Sequence, residues 1–141
     1  THTHKHNIDS KGRLAMPAKF RVMLKGGAVA TKGLDNCLFV YPKNKWEEIA
    51  KKLASLPFNQ LKARSLSRLM LAGAMAIDFD NQGRINLPEY LRKFASLKKK
   101  VVVAGLYDRL EIWDETAWNK FRTGAEKDSA NIAETLGGLG V

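Results

Sequence analysis

The chain has 141 residues, 45% hydrophobic and 27% charged, which suits one folded domain or two very small ones sharing a core and argues against disorder and low complexity. Its 24 Lys and Arg against 14 Asp and Glu give a formal charge of +10. That excess sits wholly in the first half, since residues 1–77 hold 14 basic and 4 acidic side chains and residues 78–141 hold 10 of each, an imbalance suited to a polyanion such as nucleic acid.

The chain opens on a polar, His-rich stretch unlike a secretory signal, and without Met, so a few native residues are expected to precede it. His2, His4 and His6 alternate, so a strand would place them on one side, where they could hold a metal. A frayed polar end is the reading preferred here. A strand then enters Asp9-Ser10-Lys11-Gly12-Arg13 and a second strand leaves it. A short helix is expected with Pro17 in its first position. Strands follow around Val29 to Tyr41. Cys37 falls in an apolar strand as a small core residue, and a single cysteine excludes an internal disulfide and fits a reducing cytosol. Asn44 with Glu47 resembles a capping box, ahead of Trp46, Ile49, Ala50, Leu53 and Ala54 at helical spacing. Gln60 to Leu71 reads as a further helix, with Arg64 and Arg68 on one face as candidate phosphate contacts.

The second half repeats the first. Asp80-Asn81-Gln82-Gly83-Arg84 repeats the earlier turn, and Pro88 and Arg92 match Pro17 and Arg21 at an offset of 71. Leu38-Phe39-Val40-Tyr41 and Trp46 match Leu110-Glu111-Ile112-Trp113 and Trp118 at an offset of 72, so one insertion is expected between the blocks. Lys98-Lys99-Lys100 reads as a solvated corner that could also touch phosphate. Val101-Val102-Val103-Ala104 is an apolar run of strand length, well short of the roughly 18 residues of a membrane span. Asp114 can cap a closing helix, with Glu115 in its first turn and Trp118 and Phe121 inward. The three tryptophans fall at apolar-periodic places and are expected in the core. The Gly-rich end, Gly137 to Gly140, is expected to be loose.

The repeated turn is the main chemical feature. Asp accepts backbone N–H groups, Gly supplies positive φ, and Arg projects a planar fork suited to phosphate or guanine. Lys11 adds a cation in the first turn, where the second has Gln82. A purely structural role, with Asp9 and Arg13 pairing to fix the turn, competes evenly for either Arg. Residues 78–89 also resemble a calcium loop, but Lys11 and Ala18 stand at two ligand positions of the sister copy. The sequence carries no nucleophilic catalytic signature, phosphate loop or zinc spacing, so no enzyme activity, cofactor or metal is expected.

These segments resemble the MraZ family. Asn7-Ile8-Asp9-Ser10-Lys11-Gly12-Arg13-Leu14 with Pro17 is similar to its first signature, Asp80 to Pro88 to its second, and Leu110 to Asp114 with Trp118 to the segment that follows. The resemblance runs over all but the tail. It implies an α+β, β-rich fold: two pseudo-symmetric AbrB-like swapped-hairpin units forming one barrel-like domain with peripheral helices. The expected layout is a first unit at 1–57, a connecting helix within 58–77, a second unit at 78–124 and a tail at 125–141. It also implies a cytoplasmic, nucleoid-associated transcription regulator, usually a repressor, acting on the division and cell-wall gene cluster through short direct repeats in double-stranded promoter DNA. Ring-shaped homo-oligomers and no membrane are implied. By motif position DNA binding falls on Lys11, Gly12, Arg13, Gln82, Gly83 and Arg84, with Asp9 and Asp80 shaping the turns. An RNA-binding or antitoxin-like module on the same fold, and a metal-dependent enzyme using the His-rich start, are the competing readings.

Overall fold

A computed structural model describes residues 3–140. The first half comprises β1 (Thr3–Asn7), β2 (Arg13–Ala15), α1 (Ala18–Met23), β3 (Ala28–Lys32), β4 (Leu38–Pro42), α2 (Lys43–Ala54) and α3 (Leu61–Ala72). The second comprises β5 (Met75–Ile77), β6 (Arg84–Asn86), α4 (Glu89–Phe94), β7 (Lys100–Leu106), β8 (Arg109–Asp114), α5 (Glu115–Lys127) and α6 (Ser129–Leu136), ending in a 3-10 turn at Gly137–Leu139.

Six strands form one antiparallel sheet in the order β1-β7-β8-β4-β3-β5, and β2 pairs with β6 as a separate ribbon. Exchanging the halves reverses that order and leaves it unchanged, so a pseudo-twofold axis passes between β4 and β8. On the axis Phe39 faces Glu111 in the sheet and Leu14 faces Ile85 in the ribbon. The units are interleaved. The entry strand of each half pairs with the other half's sheet, β1 with β7 and β5 with β3.

The expected barrel does not close. Among the described residues β1 and β5 each have one sheet partner. After single bridges, Ile8 to Leu14 and Phe79 to Ile85, the chain leaves the sheet edge for the ribbon. The ribbon caps one sheet face instead of joining its ends. Backbone bonds lock that crossing reciprocally, from Met16 N–H to the Gly83 carbonyl (3.3 Å) and from Leu87 N–H to the Gly12 carbonyl (2.8 Å).

Period-two alternation divides the core into two layers. Leu38, Val40, Val101, Val103, Leu110 and Ile112 face the ribbon, α1 and α4, and pack with Leu14, Ile85, Phe20 and Leu91. On the opposite face Phe39, Tyr41, Val102 and Trp113 pack under α2 and α3 with Leu53 and Met70. Cys37 lies in this second layer, fully buried, and burial pushes its thiol up to about 12, as befits a small core residue. Trp113 is buried, and Trp46 and Trp118 pack against the same cluster.

Several local expectations change. Pro17 and Pro88 are the N-cap residues of α1 and α4, one position earlier than expected, with extended ψ of 146° and 156°. No capping box forms at Asn44. Pro42 occupies the cap of α2, and the Asn44 carboxamide accepts only the neighbouring Lys45 N–H. Asp114 holds the N-cap position of α5, but its carboxylate makes no capping bond and accepts the Lys98 N–H (3.1 Å) instead. The Gly-rich end is a 3-10 turn following α6, although none of α6 is buried. The offset also differs. Ala28 occupies the place of Val101 and Leu38 that of Leu110, so it is 73 across β3 and β7 and 72 across β4 and β8. The Ser96-to-Lys100 connection is therefore two residues longer than its Lys25-to-Gly27 counterpart, and the following hairpin is one residue shorter.

Leu14 and Ile85 face each other on the axis at 0% and 1% exposure. Truncation of either to Ala is expected to cost about 2–5 kcal/mol, and the double variant less than the sum of the two, because the side chains share one site. Denaturant unfolding of the four proteins measures both effects.

Candidate nucleic-acid interface

The two turns have the same internal wiring. The Asp9 carboxylate accepts the backbone N–H groups of Lys11 and Arg13 on Oδ1, both at 2.9 Å, and the Arg13 Nε on Oδ2 at 2.6 Å. Asp80 accepts Gln82 and Arg84 N–H, both at 2.9 Å, and the Arg84 Nε at 2.8 Å. In each turn the Gly N–H returns to the Asp carbonyl. Both carboxyls are held below the ordinary carboxylate value. The first cause is the backbone N–H of the turn's own Arg, which binds the ionised form.

The glycines are required for two reasons. Gly12 and Gly83 have φ of +86° and +73°. A Cβ on Gly12 would also collide with the Leu87 carbonyl and the Arg92 side chain, and one on Gly83 with Arg21. Each turn is thus covered by an arginine from the other half. Arg92 is anchored further by its Nε bond to the Leu87 carbonyl (2.9 Å).

The ribbon brings the turns together. Leu14 and Ile85 point inward, so Arg13, Ala15, Arg84 and Asn86 share the outward face. Arg13 lies across from Asn86 and Arg84 across from Ala15. Arg13, Asp80, Arg84 and Asn86 line one groove. Only Nε of each guanidinium is bound by its Asp. Among the described residues Nη1 and Nη2 of Arg13 and Arg84 have no hydrogen-bond partner. The pairing that fixes each turn also orients its fork and leaves the outer edge available. Lys11 and Gln82 lend their N–H groups to the turns and expose their side chains.

Other candidates fall elsewhere. Arg64 and Arg68 ride on α3, which packs on the sheet face opposite the ribbon, and Arg64 donates to the Phe58 carbonyl. They therefore lie on the opposite sheet face from the turns. The calcium-loop resemblance has no matching donor set, because both Asp80 oxygens accept N–H groups and Glu89 pairs with Lys93 (2.8 Å). His2 lies outside the described residues. His4 and His6 lie on β1, and the His4 ring packs edge-on against Phe20. Asn86, two residues beyond Arg84, escaped notice as an interface residue, although a period-two reading of Arg84-Ile85-Asn86 places it on the Arg84 face. Arg92 was visible only as a repeat match, with no sign that it covers the opposite turn.

Two interleaved hairpin units in one chain, each offering an Asp-x-x-Gly-Arg turn to a shared ribbon, define an internally duplicated swapped-hairpin protein. Comparison with known proteins agrees with the duplication. The family model described as "MraZ protein, putative antitoxin-like" matches twice, over residues 1–69 and 70–138. A protein of Halothermothrix orenii named Transcriptional regulator MraZ is 46% identical over 138 residues, 98% of this chain and 96% of its own. Proteins of the same name from Natranaerobius thermophilus and Desulforamulus reducens are 47% and 48% identical, covering 94% and 93% of this chain and 92% of each relative. The chain belongs to the MraZ family.

Two outcomes are expected of the turns. Because their carboxyls titrate lower in the folded than in the unfolded chain, their stabilisation is complete above the unfolded value of about 3.9 and is lost as pH falls through the lowered folded values. The denaturant midpoint should decline below about pH 4, and that decline should shrink when Asp9→Asn and Asp80→Asn are combined. Gly12→Ala should cost about 1–3 kcal/mol, whereas Gly26→Ala, with no atom near its Cβ, should cost far less by the same unfolding assay.

Proposed function

We propose that this chain is a sequence-specific DNA-binding transcriptional regulator. The observation carrying this reading is the juxtaposition of Arg13 and Arg84 on one outward ribbon, each fixed at Nε and open at its outer edge. A planar guanidinium held in this way can donate two bonds to guanine O6 and N7 in a major groove, or to a phosphate. A two-stranded ribbon is narrow enough to enter that groove. Lys11 adds a phosphate contact, and Asn86 and Gln82 add amide groups that suit base edges. The relatives' printed name, transcriptional regulator, supports the same reading, as does the net charge of +10.

The finer features follow from the family resemblance. The chain represses its own division and cell-wall gene cluster, binds short direct repeats in the promoter, and works as a homo-oligomeric ring in the cytoplasm, on the nucleoid. Physically, a single ribbon makes few contacts. Repeated ribbons meeting repeated sites multiply weak contacts through high effective concentration. No described helix is long and apolar enough to cross a membrane.

Fluorescence anisotropy with a labelled duplex containing several direct repeats tests this reading. Affinity should fall steeply with salt, and scrambled repeats should bind more weakly. Arg13→Ala and Arg84→Ala should each weaken repeat binding on the order of ten-fold or more while circular dichroism stays unchanged. Equal binding of repeat and scrambled duplexes by the parent would overturn sequence specificity, and variants that bind like the parent would remove the ribbon from the interface. Light scattering of the parent should give a mass several times the 15.7 kDa of one chain.

A further inference from the structure

The two turns are alike inside but differ in what surrounds them. The first turn borders a crevice lined by Ser10, Arg92, Lys98 and Lys99, which runs on past Lys93 and Ser96. Its wall is the Ser96-to-Lys100 connection, two residues longer than Lys25-to-Gly27. Swapping carries this wall from the second half to the first turn, where the Lys99 carbonyl accepts the Ile8 N–H (2.8 Å) and the Lys98 N–H is held by Asp114 (3.1 Å). Lys98 and Lys99 are exposed. At the second turn the corresponding connection offers Lys25, Gly26 and Gly27, and Val22 stands where Lys93 stands at the first.

Among the described residues the Lys98–Lys99 wall stands at the first turn, whereas the second turn has Arg21 over it, Lys25 in the shorter connection and Lys19 where the first has Tyr90. The carboxylates of the crevice are engaged: Asp9 by the turn and Glu89 by Lys93 at 2.8 Å. Arg92 is anchored through Nε to the Leu87 carbonyl, and neither of its Nη atoms has a hydrogen-bond partner among the described residues. Hydroxyls from Ser10 and Ser96 sit beside these cations, a donor set suited to phosphate oxygens.

We propose that this crevice is a phosphate subsite for the DNA backbone flanking the first turn, making that turn the stronger half of the interface. The inference rests on the DNA-binding reading and deepens it. The crevice clamps the strand, so it sets position and affinity without reading sequence.

The test uses the full chain and two duplexes, one with direct repeats and one scrambled, titrated by anisotropy from low to high salt. Lys98→Ala, Lys99→Ala and their combination are compared with Lys25→Ala. Each lost phosphate contact should lower the slope of log K against log salt by about 0.9 and weaken binding roughly 8-fold near 0.1 M salt. The ratio between repeat and scrambled duplexes should stay constant, and Lys25→Ala should leave the slope unchanged. A parent that binds the repeats with variants of unchanged slope would overturn the subsite and leave the regulator reading intact. A Lys25→Ala effect as large as that of Lys98→Ala would overturn the inequality of the turns. A parent that binds neither duplex would overturn both readings. Inorganic phosphate, followed by amide shifts of Ser10 and Lys99, separates the remaining source. Saturable binding of the free ion, lost in the double variant without any change in DNA slope, would assign the crevice to a soluble anion and overturn the proposal.

Discussion

The reciprocal crossing of the β2–β6 ribbon is the constraint on which the rest of the molecule depends. Neither half can complete its own layer. The first hairpin lends β1 to the second half's sheet, the second lends β5 to the first, and both meet at Leu14 and Ile85. A half of about 70 residues is marginal for an independent core, and here the two share one. The axis through that pair also sets where both arginines emerge, so burial and presentation are decided by the same few residues.

Within that frame the Asp-x-x-Gly-Arg turn serves structure and, in the DNA-binding function proposed above, recognition as well. The carboxylate takes up two backbone N–H groups and the guanidinium Nε, which stiffens the loop and restricts the Arg rotamer. A flexible arginine would lose more side-chain entropy on meeting DNA, whereas a fixed one has already lost part of it. The glycine lets the opposite arginine and a foreign carbonyl approach the loop from behind. A side chain there would force the halves apart.

Much of this was legible in the sequence because duplication exposes itself. Two turns with trailing prolines and matching Trp-bearing segments disclosed the pseudo-symmetry and the element order, and the resemblance to the MraZ family implied the swapped-hairpin class. Closure was not legible. Alternation shows which side chains face inward, but not whether β1 and β5 meet, and the ribbon left the sheet open. The capping box at Asn44 failed because Pro42 already starts the helix with extended geometry. Arg64 and Arg68 had helical spacing and charge, but spacing does not reveal which sheet face a helix covers. Likewise the sequence placed Lys98 and Lys99 in the near-neutral half. Only the swap delivers them to the first turn.

The axis pair Phe39 and Glu111 has a consequence for assembly. In a dimer of identical hairpin units, a residue on the twofold faces its own copy, so only self-tolerant choices survive. Covalent duplication lifts that rule. Glu111, only 8% exposed, accepts from Arg109 and from the Trp113 indole, while Arg109 stacks over Phe39 at 4.6 Å. Two second halves meeting in the same way would press two buried carboxylates together, and two first halves would offer no guanidinium to cover the Phe rings. The axis therefore selects a first half paired with a second half over two like halves, a rule that an unduplicated hairpin dimer cannot encode.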